Sequence, residues 1–144
     1  MTPRLAIDPG QDGGLAWVDE YGTTYAERMP EGMTAQADRI RELCLALPKL
    51  TATVEKVGGY MPGNAGPGAC KFARHCGHLE AILYMAGIPT AQVAPQVWQA
   101  KLGALPKDKA ERKRAIREAM ARAYPHLKVT LATADALGIL TASA

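Results

Sequence analysis

The chain begins with two short apolar runs, Leu5-Ala6-Ile7 and Leu15-Ala16-Trp17-Val18, separated by Asp8-Pro9-Gly10-Gln11-Asp12-Gly13-Gly14. Runs this short cannot form an amphipathic helix, and a proline with three glycines between them excludes one continuous helix. The pattern reads as strand, glycine turn, strand. A second polar turn, Asp19-Glu20-Tyr21-Gly22, leads into Thr23-Thr24-Tyr25-Ala26, which extends the pair to an antiparallel meander of three short strands. Asp8 stands where the first of these strands ends.

The rest of the chain alternates between helical and strand periods. From Thr34, a residue type that caps helix N-termini, Ile40, Leu43, Cys44 and Leu47 recur at helical spacing until Pro48 stops them. Thr51 to Val57 reads as a strand with Glu55 toward its end, and the preceding helix makes a parallel place beside the first strand the natural topology. Residues 58–68 hold five glycines and two prolines, a composition suited to a loop. Ala69 to Ala86 reads as a helix with Phe72, Cys76, Leu79, Leu83 and Ala86 on one stripe and Gly87 just past its end. His75 and His78 flank that stripe and are expected as core-edge side chains. Thr90 to Ala94 reads as a strand, and Pro95 suits the first turn of a short helix carrying Val97, Trp98 and Leu102. Asp108 and Glu111 form a capping box for a long helix that ends at Tyr124-Pro125. A last helical segment runs from about Thr133 to Leu140, with Asp135 expected in its first turn, where a carboxylate is favoured by the helix end alone.

The formal net charge of +3 is unevenly spread. Residues 101–128 carry nine Lys and Arg against three Asp and Glu, whereas residues 1–100 carry eight against ten. One helix therefore supplies the basicity, and its face is either simply solvated or suited to a phosphate backbone. No apolar run approaches the roughly 18 residues of a membrane span, and the apolar start is too short for a signal peptide, so a cytoplasmic protein with no membrane partner is expected. Cys44, Cys70 and Cys76 match no metal-ligand spacing and are expected as free thiols. A length of 144 residues leaves room for one core and one domain.

Three carboxylates are placed unlike the others: Asp8 and Glu55 at the ends of apolar strands, and Asp135 within an apolar helix. A half-buried carboxylate needs a partner, and three converging on one end of a sheet suit a divalent cation, which prefers hard oxygen ligands.

Taken in order, these segments resemble the RuvC family of Holliday-junction resolvases, in particular the small RuvC-like enzymes of phages and related elements, within the ribonuclease H-like superfamily. The resemblance is carried by Leu5-Ala6-Ile7-Asp8-Pro9-Gly10 with Gly14-Leu15-Ala16, then Val54-Glu55-Lys56-Val57 with the glycine-rich loop and its helix. It continues in Val93-Ala94-Pro95-Gln96-Val97-Trp98 with the basic helix, and ends in Ala134-Asp135-Ala136-Leu137-Gly138-Ile139. A first-strand Asp followed by glycines also occurs in actin-like ATPases and sugar kinases, but those need a second domain and further phosphate loops, for which this length leaves little room.

The resemblance implies an α/β fold: a ribonuclease H-like mixed five-stranded sheet, three antiparallel strands plus two parallel ones, flanked by helices, with residues 1–144 as one nuclease domain. It implies a structure-specific endodeoxyribonuclease, a homodimer that binds four-way or branched DNA and hydrolyses phosphodiesters with Mg²⁺ or Mn²⁺. Asp8, Glu55 and Asp135 match metal-binding carboxylates of the family, and Lys113 matches a lysine near its active centre. Lys107, Lys109, Arg112, Arg114 and Arg117 are candidates for phosphate contacts. Tyr60 and Met61 are candidates for contacts with unstacked bases. The helix bearing Phe72 serves either a dimer interface or ordinary core packing.

One position departs from the family. About three residues before the last Asp the family generally has another acidic residue or a histidine, and here Leu131, Ala132 and Thr133 occupy that stretch. Two ions about 3.5 to 4 Å apart need many ligands. Three readings stay open: Ala132 as an engineered, inactivating substitution, an enzyme that works with three carboxylates, or a junction-binding protein without cleavage. Asp12 in the nearby turn is a candidate substitute ligand, and a monomeric resolvase of the YqgF type is a further alternative.

Overall fold

The computed structural model describes residues 1–57 and 66–144. Strands β1 (Arg4–Asp8), β2 (Gly14–Val18) and β3 (Thr24–Arg28) form the expected antiparallel meander, with Ala6 opposite Ala16 and Asp8 opposite Gly14. After helix α1 (Met33–Ala46), β4 (Thr51–Glu55) lies parallel to β1, and after helix α2 (Pro67–Met85), β5 (Thr90–Val93) lies parallel to β4. The order β3-β2-β1-β4-β5 is the mixed five-stranded sheet of the ribonuclease H-like fold. Helices α3 (Pro95–Ala100), α4 (Lys109–Ala123) and α5 (Leu131–Ala142) complete it.

The two-residue period of β1 and β2 sends their side chains to two separate cores. Leu5, Ile7, Leu15 and Trp17 pack with Ile40 and Leu43 of α1 and Leu79 and Leu83 of α2. Ala6, Ala16 and Val18 face the other way, where Leu137, Ile139 and Leu140 of α5 meet Ile116 and Met120 of α4 and Trp98 of α3. Helix α5 is apolar around most of its circumference because it is enclosed by β1, β2, β3, α3 and α4. Arg4 at the start of β1 donates from Nη1 to the Leu140 carbonyl near the end of α5, 3.2 Å away.

Close approach of α5 to the sheet depends on Gly14. A Cβ there would stand 2.5 Å from the Ala132 carbonyl oxygen and 2.9 Å from that of Glu27, both backbone atoms that cannot step aside. Gly14→Ala is therefore expected to destabilise the protein by about 2 to 3 kcal/mol. The check is a lower urea midpoint at an unchanged m-value.

Several boundaries differ from the sequence reading, each for a local reason. Helix α1 starts at Met33 behind Gly32, whose φ of 85° turns the chain, and no side chain caps it, so Thr34 is not its N-cap. Strand β4 ends at Glu55 rather than Val57, and α2 starts at Pro67, which fits a first helical turn because its missing N–H loses nothing there. Helix α5 starts at Leu131, because Thr130 and Thr133 cap its first turn reciprocally. Asp135 thus lies in the second turn, beyond the reach of the simple helix-end explanation. Helix α4 is capped as expected, the Asp108 carboxylate accepting from the Glu111 N–H at 3.0 Å. Cys44, Cys70 and Cys76 are free. Among the described residues no helix is long and apolar enough to cross a membrane. Most of the glycine-rich segment, with Tyr60 and Met61, lies outside the described residues.

Candidate active site

Strand geometry brings the first two carboxylates together. Ile7 pairs with Val54 across the parallel β1 and β4, so the next residues in register are Asp8 and Glu55. Alternation places Asp8 on the face of Ala6, and Glu55 on the face of Thr53, the partner of Ala6. Both therefore stand on the side of the sheet covered by α5, which carries Asp135. All three are half-buried.

Electrostatics show that the three groups share one environment. Burial, then the negative charges of Asp135 and Glu55, push the Asp8 carboxyl up to about 8, against the opposing pull of Lys113. Glu55 is raised by burial and by Asp135, with a hydrogen bond from Trp98 and the charge of Lys113 acting the other way. Asp135 is raised by burial and drawn back by Lys113 and Arg112. Among the described residues, Lys113 on α4 is the one cation that acts on all three carboxylates.

Charge reaches farther than ligation. Among the described residues no three His, Cys, Asp or Glu side chains stand close enough to hold one ion, since coordination needs oxygens within about 2.0 to 2.6 Å of the metal. The donor set nevertheless fits a hard divalent cation in kind: three half-buried carboxylates whose mutual repulsion an ion would relieve. Glu55 is tied elsewhere, its Oε2 accepting from Trp98 Nε1 at 2.7 Å. Asp12 does not join the group; it is fully exposed and stands 3.8 Å from Arg28. His75 and His78 are half-buried on α2, as core-edge side chains are.

The basic residues divide by exposure. Lys107, Lys109, Lys113, Arg114 and Arg117 are exposed, while Arg112 is half-buried and donates from Nη1 to the Lys107 carbonyl at 2.9 Å, bracing the entry to α4. The residue whose role the sequence reading missed is Trp98. It stood out only as an apolar position of a short helix and as part of the motif ending Val97-Trp98, with no role of its own, although a buried indole N–H must find an acceptor, and that requirement was a usable signal.

No protein-family model matches the chain, and no curated protein sequence matches it. Solved structures do. T. thermophilus RuvC in complex with a Holliday junction substrate is similar with a TM-score of 0.60 at 21% identity, covering 99% of this chain and 92% of that one. A second Thermus thermophilus RuvC structure gives a TM-score of 0.56 at 24% identity, covering 98% and 92%. At such identities the likeness establishes a shared fold over nearly the whole of both chains.

Proposed function

We propose that this chain is a RuvC-like protein that binds branched DNA, four-way junctions foremost, acts as a homodimer, and carries a carboxylate centre that is incomplete for cleavage. The observation that carries this reading is the meeting of opposite charges at one end of the sheet, where Lys113 and Arg112 of α4 act on Asp135 and Lys113 also acts on Asp8 and Glu55. A basic helix beside a carboxylate cluster suits a phosphate backbone held next to groups that take a cation. The fold shared with a RuvC solved on a Holliday junction supports branched DNA as the partner. Ala132, one turn before Asp135, supports an incomplete centre.

The mutual repulsion of Asp8, Glu55 and Asp135, which a bound cation would relieve, supports a second reading, in which three carboxylates suffice for metal-dependent phosphodiester hydrolysis. Asp8, Glu55 and Asp135 would then hold Mg²⁺ or Mn²⁺, which when bound activates water and stabilises the leaving oxygen. Lys113 would neutralise the phosphate, and α4 would fix the strand's direction.

Gel-shift titration of a synthetic four-way junction against linear duplex of the same length tests the binding reading, with tighter junction binding expected and equal affinity counting against it. Cleavage assays in Mg²⁺ and Mn²⁺ separate the two readings. Reversing Lys109, Arg112 and Arg117 together to Glu is expected to weaken junction binding about tenfold or more at low salt and to flatten its salt dependence, because fewer counterions are released. Unchanged affinity and slope would remove α4 from the DNA surface.

A further inference from the structure

We propose that Trp98 is the positioning residue of the carboxylate centre: its indole sets the spacing between Glu55 on β4 and the α5 face that carries Asp135, and presents one Glu55 oxygen to a divalent cation while occupying the other. This rests on the cation-binding reading of Asp8, Glu55 and Asp135.

The geometry is that of a wedge. Trp98 is completely buried. Its six-membered ring lies against Gly138 of α5, so closely that a Cβ at that position would stand 2.5 Å from Cζ3 and 3.2 Å from Cε3. The opposite, N–H-bearing edge of the same indole donates to Glu55 Oε2 at 2.7 Å. One rigid ring therefore touches β4 at the carboxylate and α5 at Gly138. Gly138 lies three residues after Asp135, on the same helix face one turn along. The distance from Glu55 to that face is thus set by the width of an indole rather than by two flexible side chains.

Chemistry fixes the orientation further. An indole N–H only donates, and a buried donor left without an acceptor is costly, so Trp98 holds Glu55 in one rotamer. A carboxylate has two oxygens. With Oε2 committed to Trp98, Oε1 would be the Glu55 atom left for an ion, and Asp8 and Asp135 would have to draw in to join it, since no three of these side chains stand close enough for one ion as the structure has them. The absence of a side chain at Gly138 is what admits the ring to this position, which gives that glycine a role in the centre although it bears no functional group.

The test uses the whole chain and two probes, Mn²⁺ followed by electron paramagnetic resonance and Tb³⁺ followed by luminescence on indole excitation. Trp98→Phe keeps a ring in the core and removes the N–H. Native protein is expected to bind Mn²⁺ and to sensitise Tb³⁺, and W98F to lose about fivefold or more in Mn²⁺ affinity together with most of the sensitised emission. In a Glu55→Gln background the same W98F change is expected to cost less than twofold, because the group being positioned is gone. A W98F penalty that persists in E55Q would show a merely structural role and overturn the proposal, as would unchanged or tighter Mn²⁺ binding by W98F. Native protein that binds neither ion would overturn the cation reading and the proposal together, an outcome distinct from the previous two. Two measurements do not depend on the folding of W98F. Gly138→Ala, which displaces the ring, is expected to weaken Mn²⁺ binding. The Trp98 indole N–H resonance of metal-free protein is expected to shift in E55Q, and an unmoved resonance would mean that the contact is not made in solution.

Discussion

Ala132→Asp is expected to raise junction cleavage in Mg²⁺ or Mn²⁺ about tenfold or more, equivalent to roughly 1.4 kcal/mol or more of barrier, while affinity for the uncut junction changes little. Helix α5 begins at Leu131, so positions 132 and 135 are one turn apart on one face. The Ala132 carbonyl packs over Gly14, and Gly14 pairs with Asp8 across β1 and β2, which places the backbone of position 132 beside the strand pair that carries Asp8. A carboxylate introduced there joins the existing three. It also crowds like charges, so its advantage should appear only with divalent cation present. Time courses at saturating protein, with Asp8→Asn as the blank, measure the effect. Equal rates for the native chain and A132D, both well above the blank, would establish that three carboxylates suffice, and no cleavage by either would leave the chain a binding protein.

Asp8→Asn should stabilise the metal-free protein by roughly 5 kcal/mol at pH 8 and by less than about 1 kcal/mol near pH 4. The Asp8 carboxyl rises from 3.8 when unperturbed to about 8 in the folded protein, chiefly through burial and then through Asp135 and Glu55. A folded-state value above the unfolded one means that the fold favours the protonated group. Its contribution is fully present below the unfolded value and is lost as pH climbs through the folded one. Asparagine stays neutral throughout and avoids that loss. Urea midpoints in chelator at the two pH values provide the comparison, and equal midpoints at pH 8 would remove Asp8 from a shared carboxylate environment. Added Mn²⁺ should narrow the gap at pH 8 by binding the native fold alone.

The parts of the fold that local chemistry decides were legible in the sequence. Glycine turns and short apolar runs were enough for β1, β2 and β3, and Asp108 with Glu111 marked the start of α4. The start of α5 was not legible, because its capping pair is Thr130 with Thr133 rather than a hydroxyl with a carboxylate or amide, and that misplaced Asp135 by a turn. The candidate site was legible as three unusual carboxylates in order. Their separation was not, since it depends on Trp98 meeting both Glu55 and Gly138, residues 43 and 40 positions away that no local period connects. Lys113 was expected near the centre only through the resemblance; no local period gives its reach to all three carboxylates, which follows from how α4 packs on α5.

The contact between Arg4 and the Leu140 carbonyl gives the molecule two distinct poles. Helix α5 runs counter to β1, with Ala132 over the Asp8 end and Leu140 at the Arg4 end, a span of about 12 Å at 1.5 Å per residue. Arg4 also reaches the Ser143 hydroxyl at 3.5 Å, so the start of β1 and the end of α5 meet at the pole away from the carboxylates. A fluorophore or a surface tether attached beside Arg4 and Ser143 therefore stays clear of the charged pole and serves as a handle for single-molecule work.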